Sequence, residues 1–488
     1  MKFDNIIKKD TKEEKEKNME KFLDKIDGSI STYVMVPLLI IVGLIFTFRT
    51  KFVQVTHFKD MIKLLTEGTS KDDEKGISSF QAFCMSTASR VGTGNLAGVA
   101  LAISIGGAGA IFWMWLLAII GGASSFIEST LAQIYKVKDG DTYRGGPSYY
   151  IQQGLNQRWL GVIFAILITI TFGLVFNSAQ SNTISEALIT VFNNDSIKPI
   201  YIGIILAIIT ALIIFGGVKR IAKVSGVIVP IMAVLYIGIA FVVIILNIKE
   251  IPAVISLIFR NAFGFEEIVG GTFGGMVMIG IKRGLFSNEA GMGSAPNAAA
   301  TAEVSHPVKQ GLIQTLGVFT DTILICTCTA MIILLSDVYT VGEVSGIALT
   351  QKALSSHIGG FGNIFIAVCI FFFAFSSIIG NYYYGETNLE FINTSKTLLI
   401  VYRVFVVVMV ILGTIAPLGV VWAASNIFMS LMALINLIVI LLLGKKALDA
   451  LEDYRIHYLG LLPVEKVLFY ERNALLNINP RPFTTLLD

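Results

Sequence analysis

Charged residues are scarce in this chain: Asp, Glu, Lys and Arg make up 15% of its 488 residues, where soluble globular proteins have about 25%. Apolar residues make up 54%, and the mean hydropathy is +0.74. A soluble core of this length cannot bury so much apolar surface, so we expect a lipid bilayer as the second solvent. The net charge of +3 is too small to indicate a nucleic-acid partner.

Histidine and cysteine are also few, with four of each. The histidines are scattered through loops and the C-terminal segment without a metal-binding His/Glu motif, which argues against a membrane enzyme. The cysteines lie in apolar surroundings, and we expect them to be reduced core residues. Gly92-x-Gly94 is not followed by the lysine of a phosphate-binding loop, so ATP-driven transport is not expected. The sequence therefore predicts no enzymatic activity and no cofactor.

Apolar runs of about 17–25 residues, long enough to cross a bilayer as helices, occur eleven times. They are Tyr33–Phe48, Phe80–Ile105, Ala110–Tyr135, Leu160–Phe192, Ile200–Phe215, Val224–Leu246, Ile268–Phe286, Gly311–Leu335, Asn363–Phe391, Leu398–Gly413 and Val420–Leu443. Before them, the first 28 residues hold eight Lys and eight Asp or Glu without the apolar stretch of a signal peptide. We expect a charged N-terminal tail over residues 1–31 and a C-terminal tail, placed in the cytoplasm below, over residues 444–488.

Basic residues in the loops predict the orientation of the chain. The loops 49–78, 136–158, 218–223, 282–309 and 386–396 hold 17 Lys and Arg, whereas the alternating set of loops holds four. Because loops rich in Lys and Arg stay in the cytoplasm, the first set is predicted to be cytoplasmic. Eleven spans then put the C-terminus inside the cell and the N-terminus outside, a placement that the lysine-rich first tail fits poorly.

The second apolar run contains Gly92-Thr93-Gly94-Asn95 at the expected middle of the span. One interpretation is a helix-packing face, since Gly94 and Gly98 form a GxxxG pair. The other is an unwound turn whose free amides and carbonyls line a cavity, where irregular backbone is tolerated at membrane depth. Arg90 and Asn95 favour the second interpretation, because buried polar groups in a membrane are usually functional.

The seventh run has the same property, because glycines interrupt it between residues 270 and 280. We expect Lys282 and Arg283 at its cytoplasmic end, where long basic side chains reach the interface. Without the first run, the two interrupted helices each open a half of five helices, and an odd number of helices inverts the second half. Interrupted helices in matching positions of inverted halves indicate a transport site at the bilayer midplane. The halves are predicted at residues 79–247 and 266–443, after one extra transmembrane helix at 32–48.

Several stretches of the sequence resemble the alanine/glycine:cation symporters. They are Val91–Ala100, Gly106–Trp115, Gly145–Tyr149, Gly284–Pro296 and Tyr382–Glu386, and the likeness extends from about Thr32 to Leu443. The resemblance implies sodium- or proton-coupled uptake of alanine, glycine or related amino acids in a leucine-transporter-like fold. We expect a multi-pass protein of the cell membrane that functions as a monomer.

The resemblance implies a substrate site at the interrupted helices. There the amides of the Gly-Thr-Gly-Asn turn would hold the substrate carboxylate, and Asn95 would contact that carboxylate or a sodium ion. Polar side chains of the fourth run either line the pocket, as we favour, or join helices. The residues expected at the amino acid are Thr93, Gly94, Asn95, Asn177, Gln180, Met278, Ile279 and Gly280.

The resemblance also implies a sodium site between the turn and a serine pair of the ninth run. Its expected ligands are the carbonyls of Ala88 and Val91, the side chain of Asn95 and the hydroxyls of Ser376 and Ser377. Oxygen ligands without full carboxylate charge suit a weakly bound monovalent cation. The alternative for the serines is ordinary hydrogen bonding between helices.

Relatives that transport alanine often have a tryptophan about where Ile279 stands, and losing an indole would enlarge the pocket. The variant residues Ser89 and Arg90 before the turn also suggest a branch that accepts glutamine, with serine as a further candidate. Proton coupling is the alternative to sodium. A channel is the rival class, but it needs a continuous pore lined by carbonyls or charges.

The predicted spans contain further ionisable residues, among them Arg90, Glu128, Asp321 and Glu386. Such residues serve either as proton relays or as structural and gating ion pairs. We favour ion pairs, with Arg90 joined to Asp321 or to Glu128.

Overall fold

The computed structural model describes residues 18–19, 21–23, 25–66, 76–192, 197–264, 273–336, 338 and 346–457. In chain order the helices are α1 (Lys21–Arg49), α2 (Val53–Thr56), α3 (Phe58–Leu65), α4 (Ser79–Arg90), α5 (Gly94–Gly106), α6 (Gly109–Ile134), α7 (Pro147–Leu155), α8 (Arg158–Phe192), α9 (Pro199–Ile214), α10 (Gly217–Leu246), α11 (Ile251–Ala262), α12 (Phe273–Asn288), α13 (Ala295–Ala299), α14 (Pro307–Leu334), α15 (Gly346–Ile358), α16 (Phe361–Ile392), α17 (Lys396–Ile415) and α18 (Leu418–His457). Strands β1 (Val137–Asp139) and β2 (Thr142–Arg144) form an antiparallel hairpin between α6 and α7.

Eight helices of the described chain are long and apolar enough to cross a membrane: α1, α6, α8, α10, α14, α16, α17 and α18. Helices α5, α9 and α11 are shorter and apolar. Large apolar side chains cover the outer faces, and Leu212 and Val234, for example, are 67% and 71% exposed. So wide an exposed apolar surface suits contact with lipid. The predicted class of polytopic α-helical membrane protein is confirmed, while the count of eleven spans stays a prediction.

The first interrupted helix has the predicted break. Helix α4 begins with a capping box, in which Ser78 Oγ accepts the Gln81 amide at 3.1 Å and Gln81 Oε1 accepts the Ser78 amide at 2.9 Å. It ends at Arg90, Val91 is extended (φ −81°, ψ 92°), and α5 begins at Gly94 with a π-helical turn. All residues from 91 to 95 are buried, so the break lies inside the protein.

The second interrupted helix breaks later than predicted. Helix α12 is continuous from Phe273 to Asn288, and residues 265–272 lie outside the described part of the chain. The break follows at 289–294, where Glu289, Gly291 and Gly293 have φ values of 57°, 82° and 84°. Two glycines supply the positive φ angles that this turn requires.

The predicted break within residues 270–280 is wrong, as far as the structure describes them, because a glycine inside α12 serves helix packing. A Cβ added to Gly280 would lie 2.6 Å from the carbonyl oxygen of Ala110 in α6. Small residues at such a contact let two membrane helices approach closely. The same residue type therefore marks a break in one helix and a contact in the other.

Further differences concern the tails and loops. Helix α18 continues to His457, so the tail predicted from residue 444 begins as helix, and residues 1–17 and 458–488 lie outside the described chain. Helices α11 and α15 occupy stretches that were expected to be loops. The extra N-terminal helix begins at Lys21, earlier than predicted.

Because Gly280 is in close contact with α6, the same glycine-to-alanine change should affect protein stability at Gly280 and not at Gly274. Gly280→Ala should destabilise the protein by about 1–3 kcal/mol, because the added methyl group overlaps Ala110. Gly274→Ala in the same helix is the matched control, since nothing lies within 4 Å of the Cβ position there. Thermal unfolding of the detergent-solubilised variants measures the effect, and equal melting temperatures would contradict the packing role.

Candidate transport site

The turn between α4 and α5 lies against α8 and α16. A Cβ added to Gly92 would overlap Ser377 Oγ and would lie 2.7 Å from Gln180 Oε1, so this close approach requires glycine. The Ser377 hydroxyl lies 3.3 Å from the Val91 carbonyl oxygen and 3.0 Å from that of Phe373. The structure thus brings Val91, Gln180 and Ser377 together around the turn.

Two backbone amides of the turn donate hydrogen bonds to side-chain carboxamides. The Gly92 amide donates to Asn95 Oδ1 at 2.9 Å, and the Thr93 amide donates to Gln180 Oε1 at 3.0 Å. The Thr93 hydroxyl is buried without a hydrogen-bond partner among the described residues. The turn therefore presents peptide groups whose acceptors are neutral side chains.

A buried carboxylate joins the two interrupted helices. Asp321, in the π-helical part of α14, accepts Asn95 Nδ2 at 2.6 Å, Ser287 Oγ at 2.7 Å and Thr322 Oγ1 at 2.8 Å. All four residues are 0% exposed. From the sequence, Asp321 was expected to be an ion-pair partner of Arg90 or a proton relay, and not a partner of Asn95. A carboxylate at the middle of a span was the available signal.

The residues of α12 that face the turn are Phe286 and Ser287. A Cβ added to Gly94 would lie 3.1 Å from the ring of Phe286 and 3.1 Å from the Cα atom of Ser287. The predicted Met278, Ile279 and Gly280 lie about 10 Å earlier along the same helix. Ile279 packs at Gly106, and Gly280 packs at Ala110 and Trp113. The structure does not bring these three predicted residues to the turn.

The polar residues of α8 are distributed over three neighbours. Gln180 contacts the turn, whereas Asn177 Oδ1 accepts Asn381 Nδ2 of α16 at 3.1 Å. Asn182 Nδ2 donates to the carbonyls of Gly413 and Ala416, each at 2.8 Å. Gln180 is therefore the member of this group that the structure brings to Thr93.

The predicted sodium ligands lie where α4 crosses α16. A Cβ added to Gly380 of α16 would lie 3.0 Å from the Ser89 amide, so the two backbones are in close contact. Ala88 is fully buried at this crossing. Ser377 reaches Val91, whereas the Ser376 hydroxyl donates to Phe373 within its own helix at 2.9 Å.

Lys282 and Arg283 do not lie at a cytoplasmic helix end, so that prediction is wrong. Both are inside α12 and are 8% and 3% exposed. Lys282 Nζ is 2.8 Å from Asp27 Oδ2 of α1, and the guanidinium of Arg283 lies 4.6 Å from the ring centroid of Trp422. Specific partners stabilise these buried charges inside the protein.

An aromatic layer follows the turn. The ring of Phe286 lies 4.7 Å from that of Phe176 and 4.8 Å from that of Trp422. Arg283 covers Trp422 and donates to Asn426 Oδ1 at 2.9 Å. Helices α8, α12 and α18 therefore meet beside Gly94.

Two further buried carboxylates, those of Glu128 and Glu386, have partners of different kinds. Glu128 accepts the amides of Gly291 and Gly293, each at 3.1 Å, and Asn436 Nδ2 at 2.7 Å. Glu386 forms an ion pair with Arg403 at 3.3 Å.

Arg90 donates to the Gln314 carbonyl at 3.1 Å and, at 3.4 Å, to the Ser125 hydroxyl. Neither Asp321 nor Glu128 forms an ion pair with Arg90 in the described chain, so the predicted direct pairing is wrong.

The chain is similar to known amino-acid carriers over most of its length. A sequence profile of the sodium:alanine symporter family matches residues 16–459. The probable sodium/glutamine symporter GlnT of Bacillus subtilis is 55% identical over 440 residues, which cover 89% of this chain and 91% of GlnT. The amino-acid carrier protein AlsT of the same organism is 56% identical over 439 residues, which cover 89% and 93% of the two chains.

Among solved structures, the crystal structure of MhsT in complex with L-phenylalanine is similar in fold. The TM-score is 0.56 at 16% identity, and the match covers 80% of this chain and 100% of MhsT. At this identity the likeness concerns the fold alone.

The close contact at Gly92 predicts that even one methyl group disrupts the turn. Gly92→Ala should lower amino-acid uptake by about tenfold or more, because overpacking by about 1–3 kcal/mol displaces Ser377 and Gln180. Gly98→Ala is the matched control, since its Cβ would lie 3.7 Å or more from its neighbours. Uptake into proteoliposomes distinguishes them, and equal activities of the two variants would contradict the assignment.

Proposed function

The chain belongs to the sodium:alanine symporter family, and from this premise we propose how its interrupted helices bind a small neutral amino acid together with sodium. One observation carries the proposal. The break between α4 and α5 brings the carbonyl end of one helix and the amide end of the next to the same buried place. Carbonyl ends attract cations and amide ends attract anions, which is the combination that a sodium ion and an amino-acid carboxylate require.

The carboxylate of the amino acid binds at the amides of Thr93 and Gly94. In the structure Gln180 Oε1 accepts the Thr93 amide at 3.0 Å. A carboxylate is a stronger acceptor than a carboxamide, because hydrogen bonds to charged groups are about twice as strong. The substrate therefore replaces Gln180 at this amide, and Gln180 remains at the side of the pocket. Asn177 lies one turn of α8 away and lines the pocket with it.

The sodium ion binds where α4 ends against α16. Its proposed ligands are the carbonyls of Ala88 and Val91, the side chain of Asn95 and the hydroxyls of Ser376 and Ser377. The contact of 3.3 Å between Ser377 Oγ and the Val91 carbonyl supports this, since one cation can touch both oxygens. Neutral oxygens suit a cation that has to dissociate after transport.

Asp321 supplies the negative charge of the site. The substrate is a zwitterion without net charge, so each sodium ion adds a positive charge to a buried region. The Asp321 carboxylate has only uncharged hydrogen-bond donors among the described residues, and Asn95 connects it to the turn. A full charge in a medium of low dielectric constant needs such compensation.

Transport proceeds by alternating access of two halves, residues 79–247 and 266–443, around this site. The protein lies in the cell membrane as a monomer with its C-terminus in the cytoplasm. Without Lys282 and Arg283, which lie inside α12, the basic loops still hold 15 Lys and Arg against four in the opposite set. This asymmetry supports the orientation.

Glutamine belongs to the proposed substrate range, with alanine, glycine and serine. The first reason for this, the loss of a tryptophan at Ile279, is weakened because Ile279 packs at Gly106 instead of at the turn. Identity of 55% to a probable sodium/glutamine symporter supports the proposal more directly. Proton coupling remains the alternative, for which Asp321, Glu128 and Glu289 are buried carboxylates among the described residues. A channel is not favoured, because the peptide groups of the turn are enclosed by side chains.

Counterflow in proteoliposomes tests the proposal. With unlabelled amino acid inside, labelled alanine, glycine, serine and glutamine should each accumulate when sodium is present, because the turn binds the groups that all amino acids share. Replacing sodium with choline should abolish accumulation at every pH from 5.5 to 8. Accumulation driven by protons alone would contradict sodium coupling, and uptake of alanine that excess glutamine does not inhibit would contradict the substrate range.

The serine at the turn provides a test of the sodium site. Ser377→Ala should raise the half-saturating sodium concentration by about tenfold, because it removes a proposed ligand. Ser425→Ala is the matched control, since that buried hydroxyl donates to Val421 within its own helix. Sodium titration of uptake gives both values. An unchanged sodium requirement in Ser377→Ala would remove this residue from the site.

A further inference from the structure

A buried ion pair connects the N-terminal helix to the second interrupted helix. Asp27 of α1 is 3% exposed and Lys282 of α12 is 8% exposed, and their side chains meet at 2.8 Å. Asp27 also accepts the Ser31 hydroxyl, which lies 2.9 Å from Ser430 Oγ of α18. Both charges are therefore compensated, and the carboxylate is oriented by a second donor.

Helix α1 also contacts the break that follows α12. A Cβ added to Gly291 would lie 3.5 Å from Leu39 Cδ1. Twelve residues separate Asp27 from Leu39, a rise of about 18 Å. The N-terminal helix thus contacts the interrupted helix at two levels, the paired lysine and the break.

Arg283, the residue after Lys282, contacts the aromatic layer of Phe176, Phe286 and Trp422. Arg283 lies over Trp422, and Ser287, four residues later, donates to Asp321. Residues four apart share one face of a helix, so a rotation of α12 displaces Arg283 and Ser287 together. Lys282 precedes Arg283 in α12, so the ion pair with Asp27 lies next to this face of the helix.

We propose that Asp27 is a positioning residue for amino-acid binding, which acts through Lys282 to hold α12 in the rotation that faces the turn. The extra N-terminal helix is then part of the transport machinery, although it lies outside both five-helix halves. This inference rests on the proposed symport.

The test compares the KM for amino acid with the sodium requirement of the full-length protein in proteoliposomes. Asp27→Asn should raise the KM for glutamine by about tenfold, because small misplacements at a binding site are costly. The half-saturating sodium concentration should rise as well, because Ser287 of α12 donates to Asp321, which supplies the negative charge of the proposed sodium site. A residue that only stabilises the fold would lower Vmax with the amount of folded protein and leave KM unchanged.

Two further variants keep the test decisive if Asp27→Asn folds poorly with an unpaired lysine. Asp27→Asn with Lys282→Met removes both charges and should show the same rise in KM. Asp27→Lys with Lys282→Asp reverses the pair and should restore KM to within about threefold of the native value. Lys25→Gln, an exposed residue on the same helix, is the control and should change neither constant.

The possible results distinguish a failure of the positioning role from a failure of the proposed symport. Native KM in both Asp27→Asn and the doubly neutral variant would overturn the positioning role, and so would a reversed pair that leaves KM raised. Absence of sodium-dependent uptake by the unaltered protein would instead contradict the proposed symport.

Discussion

Every peptide group buried at membrane depth needs a hydrogen-bond partner, because hydrocarbon offers none. Where a helix is interrupted, side chains have to supply the acceptors that a continuous helix would provide. Asn95 and Gln180 do so at the first break, and Glu128 does so at the amides of Gly291 and Gly293 in the second. The polar residues of the core are arranged around this requirement.

The two breaks differ in the charge of their acceptors, and this difference assigns them different roles. Neutral carboxamides accept the amides of the first break, so a substrate carboxylate can compete for them. A carboxylate, held in turn by Asn436, accepts the amides of the second break. Because charge-assisted bonds are stronger, an incoming anion has little to gain there. We therefore interpret the first break as the binding end and the second as a fixed turn.

Buried charged side chains of the described residues also have ion-pair or hydrogen-bond partners. Lys282 pairs with Asp27, and Glu386 pairs with Arg403. Arg90 relies on the Gln314 carbonyl, and Asp321 relies on three uncharged donors. Among the described residues Asp321 thus has no countercharge in contact, although it is buried beside the turn, which suits a site that binds and releases a cation.

Hydropathy and a Gly-Thr-Gly-Asn turn are local properties of the chain, so the membrane class, the approximate apolar spans and the first break could be predicted from the sequence. It also indicated Gln180 and Ser377 as neighbours of that turn through the family resemblance. The folded protein was needed to show that α12 continues past Gly280, that Lys282 meets Asp27, and that Phe286 and Asp321 lie at the turn. A glycine in a membrane helix serves equally as a break or as a contact, and a charge has no recognisable partner along the chain. Both are settled by residues that are distant in sequence and adjacent in the folded protein.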